Sequence, residues 1–252
     1  MSAQSFGRDS APQTLKALLA LRERILAGAL RPGERISELI AVQQLGVSRT
    51  PVRAALARLA DEGLIEPLPM GGYAVRAFSE AEIFDAIEVR GVLEGTAARM
   101  AAERGVSAAQ MAPLKDCASG LDDLVRRPEF GGDGFSDYVR LNARFHALLL
   151  GMAASPALER LVERVAASPF ASPSAFVMAQ SALPESRAIL TIAQEHHRSV
   201  VDAIQNREGT RAESVMREHS RLAHRNLQLA LRNRDSLALV AGAALIRGGA
   251  NV

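Results

Sequence analysis

The chain has 252 residues, a formal net charge of +2, 48% hydrophobic residues and only 4% aromatics, with no tryptophan. That length fits one large domain or two modest ones, with enough apolar residues for a packed core. A single cysteine, Cys117, excludes an intramolecular disulfide framework and points to a cytoplasmic setting. No apolar run approaches membrane-spanning length.

The charge is unevenly spread. Residues 1–78 hold 10 Lys/Arg against 7 Asp/Glu, whereas residues 79–252 hold 20 against 21. Residues 1–12 are polar, lack an apolar signal core and are expected to be disordered. From Thr14 to Ala27, Leu15, Leu18, Leu19, Leu21, Ile25 and Leu26 recur at helical spacing, and Gly28 follows as a left-handed stop. Arg31-Pro32-Gly33-Glu34 reads as a turn. Ser37 is the expected N-cap of a short helix, Glu38–Leu45, and Gly46 supplies the next turn. Ser48 is the expected cap of a third helix with Pro51 in its first turn.

On that third helix Val52, Ala55, Leu56 and Leu59 form an inward stripe. Arg49, Thr50, Arg53 and Ala57 fall on an adjoining flank. Gly63 stops the helix, and residues 64–69 and 73–76 predict two short strands around Met70-Gly71-Gly72. Helix, helix, third helix and a two-stranded wing make a winged helix-turn-helix, residues 13–78, whose third helix reads double-stranded DNA. Arg49 and Arg53 suit base edges or phosphates, because a guanidinium fork can bind guanine twice. Ser48 and Thr50 sit where a helix N-terminus favours phosphate. Gly71 and Gly72 let the wing tip approach the backbone.

After the Ala77-Phe78 junction, the remainder to residue 235 predicts an all-α bundle and no strand. Helices are expected at 80–104, 107–126, 135–152, 156–167, 183–206 and 210–234. Ser79/Glu82, Ser107/Gln110 and Thr210/Glu213 read as capping boxes. Ser168 to Pro184, with three prolines, reads as a loop or broken helix, and residues 236–252 as a tail that frays. The fold class is therefore mainly α: a winged helix-turn-helix followed by an all-α helical bundle. Asn142 and His146 lie four residues apart on one helix, His197 on a second and His219 on a third. Facing helices can bring such side chains to one divalent ion, and imidazole suits Zn, Ni or Mn-type ions. Ordinary hydrogen-bonded histidines are the alternative on spacing alone.

Residues 14–76 resemble the DNA-binding domain of the GntR family of bacterial transcription regulators. The resemblance rests on Pro32-Gly33-Glu34-Arg35-Ile36-Ser37-Glu38, Val47-Ser48-Arg49-Thr50-Pro51-Val52-Arg53, Glu62-Gly63-Leu64 and Gly72-Tyr73. It implies operator contacts by Arg49, Thr50, Arg53 and the wing glycine. Residues 80–232 resemble the FCD effector domain of the FadR branch. The matching residues are Ile87-Glu88-Val89-Arg90 with Leu93-Glu94, Leu141-Asn142 with Phe145-His146, His197 through Ile204, and Met216 to His219. That resemblance implies a divalent metal on His146, His197 and His219, with Asn142 at the family's Asp position. The amide adds no negative charge, so a metal-free site that hydrogen-bonds its ligand directly stays open. Residues 85–105 with Asn142, Phe145 and His146 look nearest to vanillate-responsive repressors. The broader expectation is a small aromatic or aliphatic carboxylate.

Arg90 is expected either to pair with that carboxylate or to bridge to Glu94 one turn on. The resemblance as a whole implies a homodimeric repressor on a short palindrome, released by its effector. Two alternatives are a metal-dependent enzyme built on the three histidines and an effector-activated activator. An enzyme would leave the winged helix unexplained.

Overall fold

The computed structural model describes residues 10–127 and 130–247, which form two compact units. One takes the chain up to Glu80 together with the segment from Ala241 onward, and the other Ala81–Val240.

The first unit starts with α1, Ser10–Leu26. Ser10 to Pro12 therefore belong to a helix and not to a disordered leader, since a proline is tolerated in a first turn. Residues 1–9 lie outside the described residues. Then follow β1 (Arg35–Ile36), α2 (Glu38–Leu45), α3 (Arg49–Asp61), β2 (Ile65–Pro67) and β3 (Tyr73–Val75). The wing has three strands in the order β1-β3-β2, all antiparallel, one more than expected. The added strand is Arg35-Ile36, which pairs Arg35 with Ala74 and buries Ile36. Leu18, Leu21, Ile25, Val52, Leu56, Leu59, Ile65 and Val75 build the core. Ser37 and Ser48 occupy the N-cap positions of α2 and α3 in extended backbone, but neither hydroxyl bonds the helix.

The second unit is helical: α4 (Glu80–Arg104), α5 (Ala108–Arg126), α6 (Gly132–Met152), α7 (Pro156–Ala166), a 3-10 turn (Met178–Ala182), α8 (Ser186–Gln205), α9 (Gly209–Arg232) and α10 (Arg234–Ala238). Helix α6 begins three residues before its expected start, with Asp133 in its first turn, where the helix dipole favours an anion. The Ser107/Gln110 capping box forms at α5. The expected Thr210/Glu213 box does not, because α9 begins at Gly209. Thr210 is then already helical, and Glu213 pairs instead with Arg99 at 3.0 Å.

Two glycines one turn apart let α4 and α9 meet closely. A Cβ on Gly91 would stand 2.0 Å from Ser220 Oγ, and one on Gly95 2.8 Å from Arg217 Cγ. This contact sets the α4 side chains Arg90 and Glu94 beside the α9 face that carries His219.

The expected tail also differs. Residues 236–238 belong to α10, whose first turn is capped by Asn233 Oδ1 accepting from Ser236 N–H. Residues 242–247 dock in the first unit, where Ile246 forms an isolated parallel bridge with Phe78. Leu245 and Ile246 are buried, which holds the segment in place.

Candidate functional site

The exposed face of α3 is set by what its other face buries. Pro51, Val52, Ala55, Leu56 and Leu59 point inward. Ser48, Arg49, Thr50 and Arg53 are exposed. Arg53 is not loose: its Nε and Nη2 donate to the two carboxylate oxygens of Glu38, each at 3.2 Å. The fork is thereby aimed at one angle while 70% of the side chain stays accessible. The wing turn is closed by Gly71 N–H to Leu68 O at 2.9 Å and Leu68 N–H to Gly72 O at 3.0 Å. Gly71 and Gly72 both take positive φ, 83° and 82°, which a Cβ would strain. Arg35 donates to Gly71 O at 2.9 Å, adding a third cation to this surface. The sequence pattern left Arg35 inside a turn motif, and only strand pairing shows that it reaches the wing tip.

In the helical unit His146, His197 and His219 come together. All three are buried, and one ligand atom from each lies within 4.8 Å of the others. Each also keeps a buried ring nitrogen with no hydrogen-bond partner among the described residues: Nε2 of His146, Nε2 of His197 and Nδ1 of His219. The opposite nitrogens explain this. His146 Nδ1 lies 2.9 Å from Glu94 Oε1, and a carboxylate only accepts, so Nδ1 carries the proton. His197 Nδ1 lies 3.3 Å from Gln194 Oε1, another acceptor. In the neutral imidazole both Nε2 atoms then present lone pairs. Gln194 is itself held by donating to Tyr138 Oη at 3.0 Å.

Burial, and then the neighbouring histidines, hold His197 and His219 well below the ordinary imidazole value. They are neutral at pH 7, the form that binds metal. Burial pushes Glu94 up, but His146 and Arg90 beside it outweigh that and hold it ionised. His196 lies outside the convergent set.

The donor set fits a divalent ion. Tetrahedral Zn with Zn–N bonds of about 2.1 Å holds its ligand nitrogens about 3.4 Å apart, a spacing that ring rotations would bring the set to. Asn142 is buried on the same helix as His146, and its amide nitrogen donates to Pro173 O at 3.3 Å and Ser174 Oγ at 3.0 Å. Arg90 is buried, 3.5 Å from Glu94, and donates to Ala171 O at 3.1 Å. The intrahelical bridge therefore forms, and Arg90 still lines a polar cavity of about 30 Å³ with Tyr138, Asn142, Gln180, His219 and Asn226. A second cavity of about 330 Å³ reaches Glu94 and His146 from another side, walled by Leu150, Val162 and Pro173.

Two family models match the chain. "Bacterial regulatory proteins, gntR family" covers residues 13–75, and "FCD domain" covers residues 85–222. The chain is a member of the GntR family, in its FCD branch. This makes it a DNA-binding transcriptional regulator rather than an enzyme. An "Uncharacterized HTH-type transcriptional regulator in the TAR-I ttuE-ttuC' intergenic region" of Agrobacterium vitis is 36% identical over 155 residues, 61% of this chain and 85% of that protein. A "Probable D-xylose utilization operon transcriptional repressor" of Paenarthrobacter nicotinovorans is 29% identical over 200 residues, 77% and 80% of the two chains. Among solved structures, E. coli McbR/YncC superposes with a TM-score of 0.59 at 18% identity, covering 86% of this chain and 96% of that one. A putative GntR regulator from Rhodococcus sp. RHA1 superposes at 0.54 and 19% identity, covering 86% and 99%. These two likenesses concern the fold.

For this GntR regulator, sequence reasoning singled out the three converging histidines, Arg90 and Asn142. It left three parts of the site aside. Glu94 was only a partner for Arg90, and nothing in the spacing showed that it also orients His146. Gln194, one turn before His197, was a detectable signal of the same kind. The segment from Ser168 to Pro184 read only as a loop or broken helix, yet it supplies the carbonyls that receive Arg90 and Asn142. No described helix is long and apolar enough to cross a membrane.

Proposed function

We propose that this regulator is a ligand-gated repressor, a cytoplasmic homodimer that binds a short palindromic operator and leaves it when a small carboxylate enters the helical unit. The observation that carries this reading is the buried convergence of His146, His197 and His219, with unpartnered nitrogens, in a chain that also exposes Arg49, Thr50 and Arg53 on α3. Unpartnered buried polar atoms disfavour the folded state unless something fills the site. One relative is itself named a probable repressor. Val89 and Val92 form an exposed apolar strip on α4, which supports pairing of two copies through this unit.

On the operator, Arg53 and Arg49 address base edges or phosphates, Ser48 and Thr50 the phosphate at the α3 N-terminus, and Gly71 and Gly72 the adjoining backbone. In the helical unit His146, His197 and His219 hold a divalent ion such as Zn, Ni or Mn, with Asn142 beside them. The bound ion supplies a fixed positive charge for an anionic ligand. Because Asn142 is neutral, that charge is one unit higher than an Asp would leave, and this favours a carboxylate. Arg90 is a second cation, on the wall of the 30 Å³ polar cavity, and the separate 330 Å³ cavity beside Glu94 and His146 is within the size range of small-molecule sites.

The test begins with elemental analysis of the purified protein. Operator DNA selected from a random pool is then titrated in a panel of carboxylates that includes vanillate. Near-stoichiometric metal, with one carboxylate releasing the DNA, supports the reading in full. Release without metal leaves a pocket that reads its ligand by Arg90, Asn142 and the histidines alone. DNA binding that no carboxylate alters overturns the gating.

A further inference from the structure

The chain passes between the two compact units twice, after Glu80 and after Val240. Both crossings are short. On one side Phe78 is hydrogen-bonded within the DNA-binding unit and Ser79 alone separates it from α4. On the other, α10 ends at Ala238, and only Leu239, Val240 and Ala241 precede the docked Gly242. Three residues reach at most about 10–11 Å when fully extended, so this connection has little slack.

The docked segment is bonded at both ends. Gly242 N–H donates to Leu26 O at 3.1 Å, satisfying one of the carbonyls orphaned at the end of α1. Phe78 N–H donates to Leu245 O at 2.7 Å, and Arg247 N–H donates to Phe78 O at 2.8 Å. Ala244 packs where Gly28 has no side chain: a Cβ on Gly28 would lie 3.2 Å from Ala244 Cβ. The segment therefore grips the residue that opens the first crossing.

Its other end leads back to the polar cavity that Arg90 lines. Helix α10 packs on the 3-10 turn Met178–Ala182 and on α9. Gln180 from that turn and Asn226 from α9 line the polar cavity with Arg90 and His219. Gln180 Oε1 and Asn226 Oδ1 are buried without hydrogen-bond partners among the described residues. At about 30 Å³ the cavity is well below the usual size of small-molecule sites, so a ligand seated in it presses on its wall.

We propose that the C-terminal segment 241–247 is a second tether, which carries displacement of the Met178–Ala182 wall through α10 to Phe78 and α1 of the DNA-binding unit. A single linker lets a domain pivot about several bonds. Two short connections that meet at Phe78 leave far fewer free rotations, so a shift of α10 is felt in the DNA-binding unit instead of being absorbed. This rests on the proposed gating for its biological purpose, but the coupling itself needs neither ligand nor metal.

The experiment is hydrogen exchange on the full chain, in four forms. The first two are the wild type and Leu237→Ala, which loosens α10 at a buried position. The other two carry the same pair of sequences with a six-residue Gly/Ser insertion between Val240 and Ala241. Leu237→Val replaces the alanine variant if that one does not fold. The amides of Leu239 and Val240, which bond within the end of α10, report that the substitution has acted. With the natural connection, Leu237→Ala is expected to speed exchange at Phe78, Gly242 and Arg247 by about tenfold or more. With the insertion it is expected to leave those three amides unchanged. Equal acceleration with and without the insertion overturns the tether. So does no acceleration while Leu239 and Val240 exchange faster. Failure of the gating reading would appear in the carboxylate panel and leave this result untouched.

Discussion

The recognition face of α3 and the histidine cluster of the helical unit solve opposite problems. On α3 the functional side chains are exposed, and their placement needs only that the other face be buried. Arg53 can be removed without opening a cavity, and its single aiming contact, Glu38, is also partly exposed. In the helical unit every candidate ligand is buried, and His146, His197, Arg90 and Asn142 are each held by a hydrogen bond. Glu94 fixes His146, Gln194 fixes His197, and the loop carbonyls of Ala171 and Pro173 fix Arg90 and Asn142. Function on α3 is therefore separable from folding, whereas function in the cluster is part of the packing.

The largest effect that tests this contrast is loss of His197. His197→Ala is expected to lower Zn affinity by more than about 100-fold, since it removes one of three strong donors. Its ring also packs 4.2 Å from Phe145, so thermal stability should fall with it. Titration calorimetry and a melting curve on the same sample measure both. His196→Ala should change neither by much, because that ring stands outside the convergent set. If His196→Ala abolishes binding and His197→Ala does not, the donor assignment is wrong by one residue.

Arg53→Ala is the matching change on α3. Loss of one bidentate base contact costs about 1–3 kcal/mol, or roughly 5- to 150-fold in affinity for the selected operator. Stability should stay within about 0.5 kcal/mol, as for other exposed substitutions. Fluorescence anisotropy at fixed salt, with a melting curve alongside, checks the pair. Unchanged affinity for the selected sequence would remove Arg53 from the recognition face.

Glu94→Gln sharpens the comparison further. The amide still accepts from His146 Nδ1, but it loses the charge that strengthens the donor and balances Arg90. Metal affinity should fall about 10- to 100-fold while operator binding without ligand is retained. If Glu94→Gln leaves metal affinity intact, Glu94 serves only to neutralise Arg90.

These differences explain what could be read from the residues alone. The winged helix was legible because its signals are local: Gly28 and Gly46 at turns, Pro51 in a first turn, and one apolar stripe along α3. The three histidines were legible as types on separate helices. Their convergence, and Asn142 at the expected position of an Asp, needed the family resemblance to carry weight. Strand β1 was missed because two residues give no periodicity. The docking of residues 242–247 was missed because the apolar run Leu237 to Leu245 looks like a fraying helix until its partner, more than 160 residues earlier, is in place. Ser168 to Pro184 resisted for the same reason. Two of its carbonyls, those of Ala171 and Pro173, accept from Arg90 on α4 and Asn142 on α6, and no local pattern records that.

The smallest predicted effect concerns the contact that brings α4 to the cluster. Gly91 packs against Ser220, which is buried and donates its hydroxyl to Arg217 O at 2.7 Å. In Gly91→Ala the new Cβ would lie 2.0 Å from Ser220 Oγ and 2.8 Å from Ser220 Cβ. Rotating the hydroxyl removes the first clash but not the second, so the helices must part. Alanine favours a helix by about 1 kcal/mol over glycine, and overpacking costs about 1–3 kcal/mol. The net is a loss of up to about 2 kcal/mol, a fall of up to about 8 °C in melting temperature. Because Arg90 and Glu94 ride on α4, metal affinity should weaken with it. An alanine at the exposed α3 position Arg53 should leave melting unchanged, which is the contrast in its plainest form. Gly91→Ala combined with Ser220→Gly makes room for the methyl group and should recover much of both losses. If the single variant melts above the wild type, helix propensity outweighs the close approach, and α4 is not held at α9 by this pair.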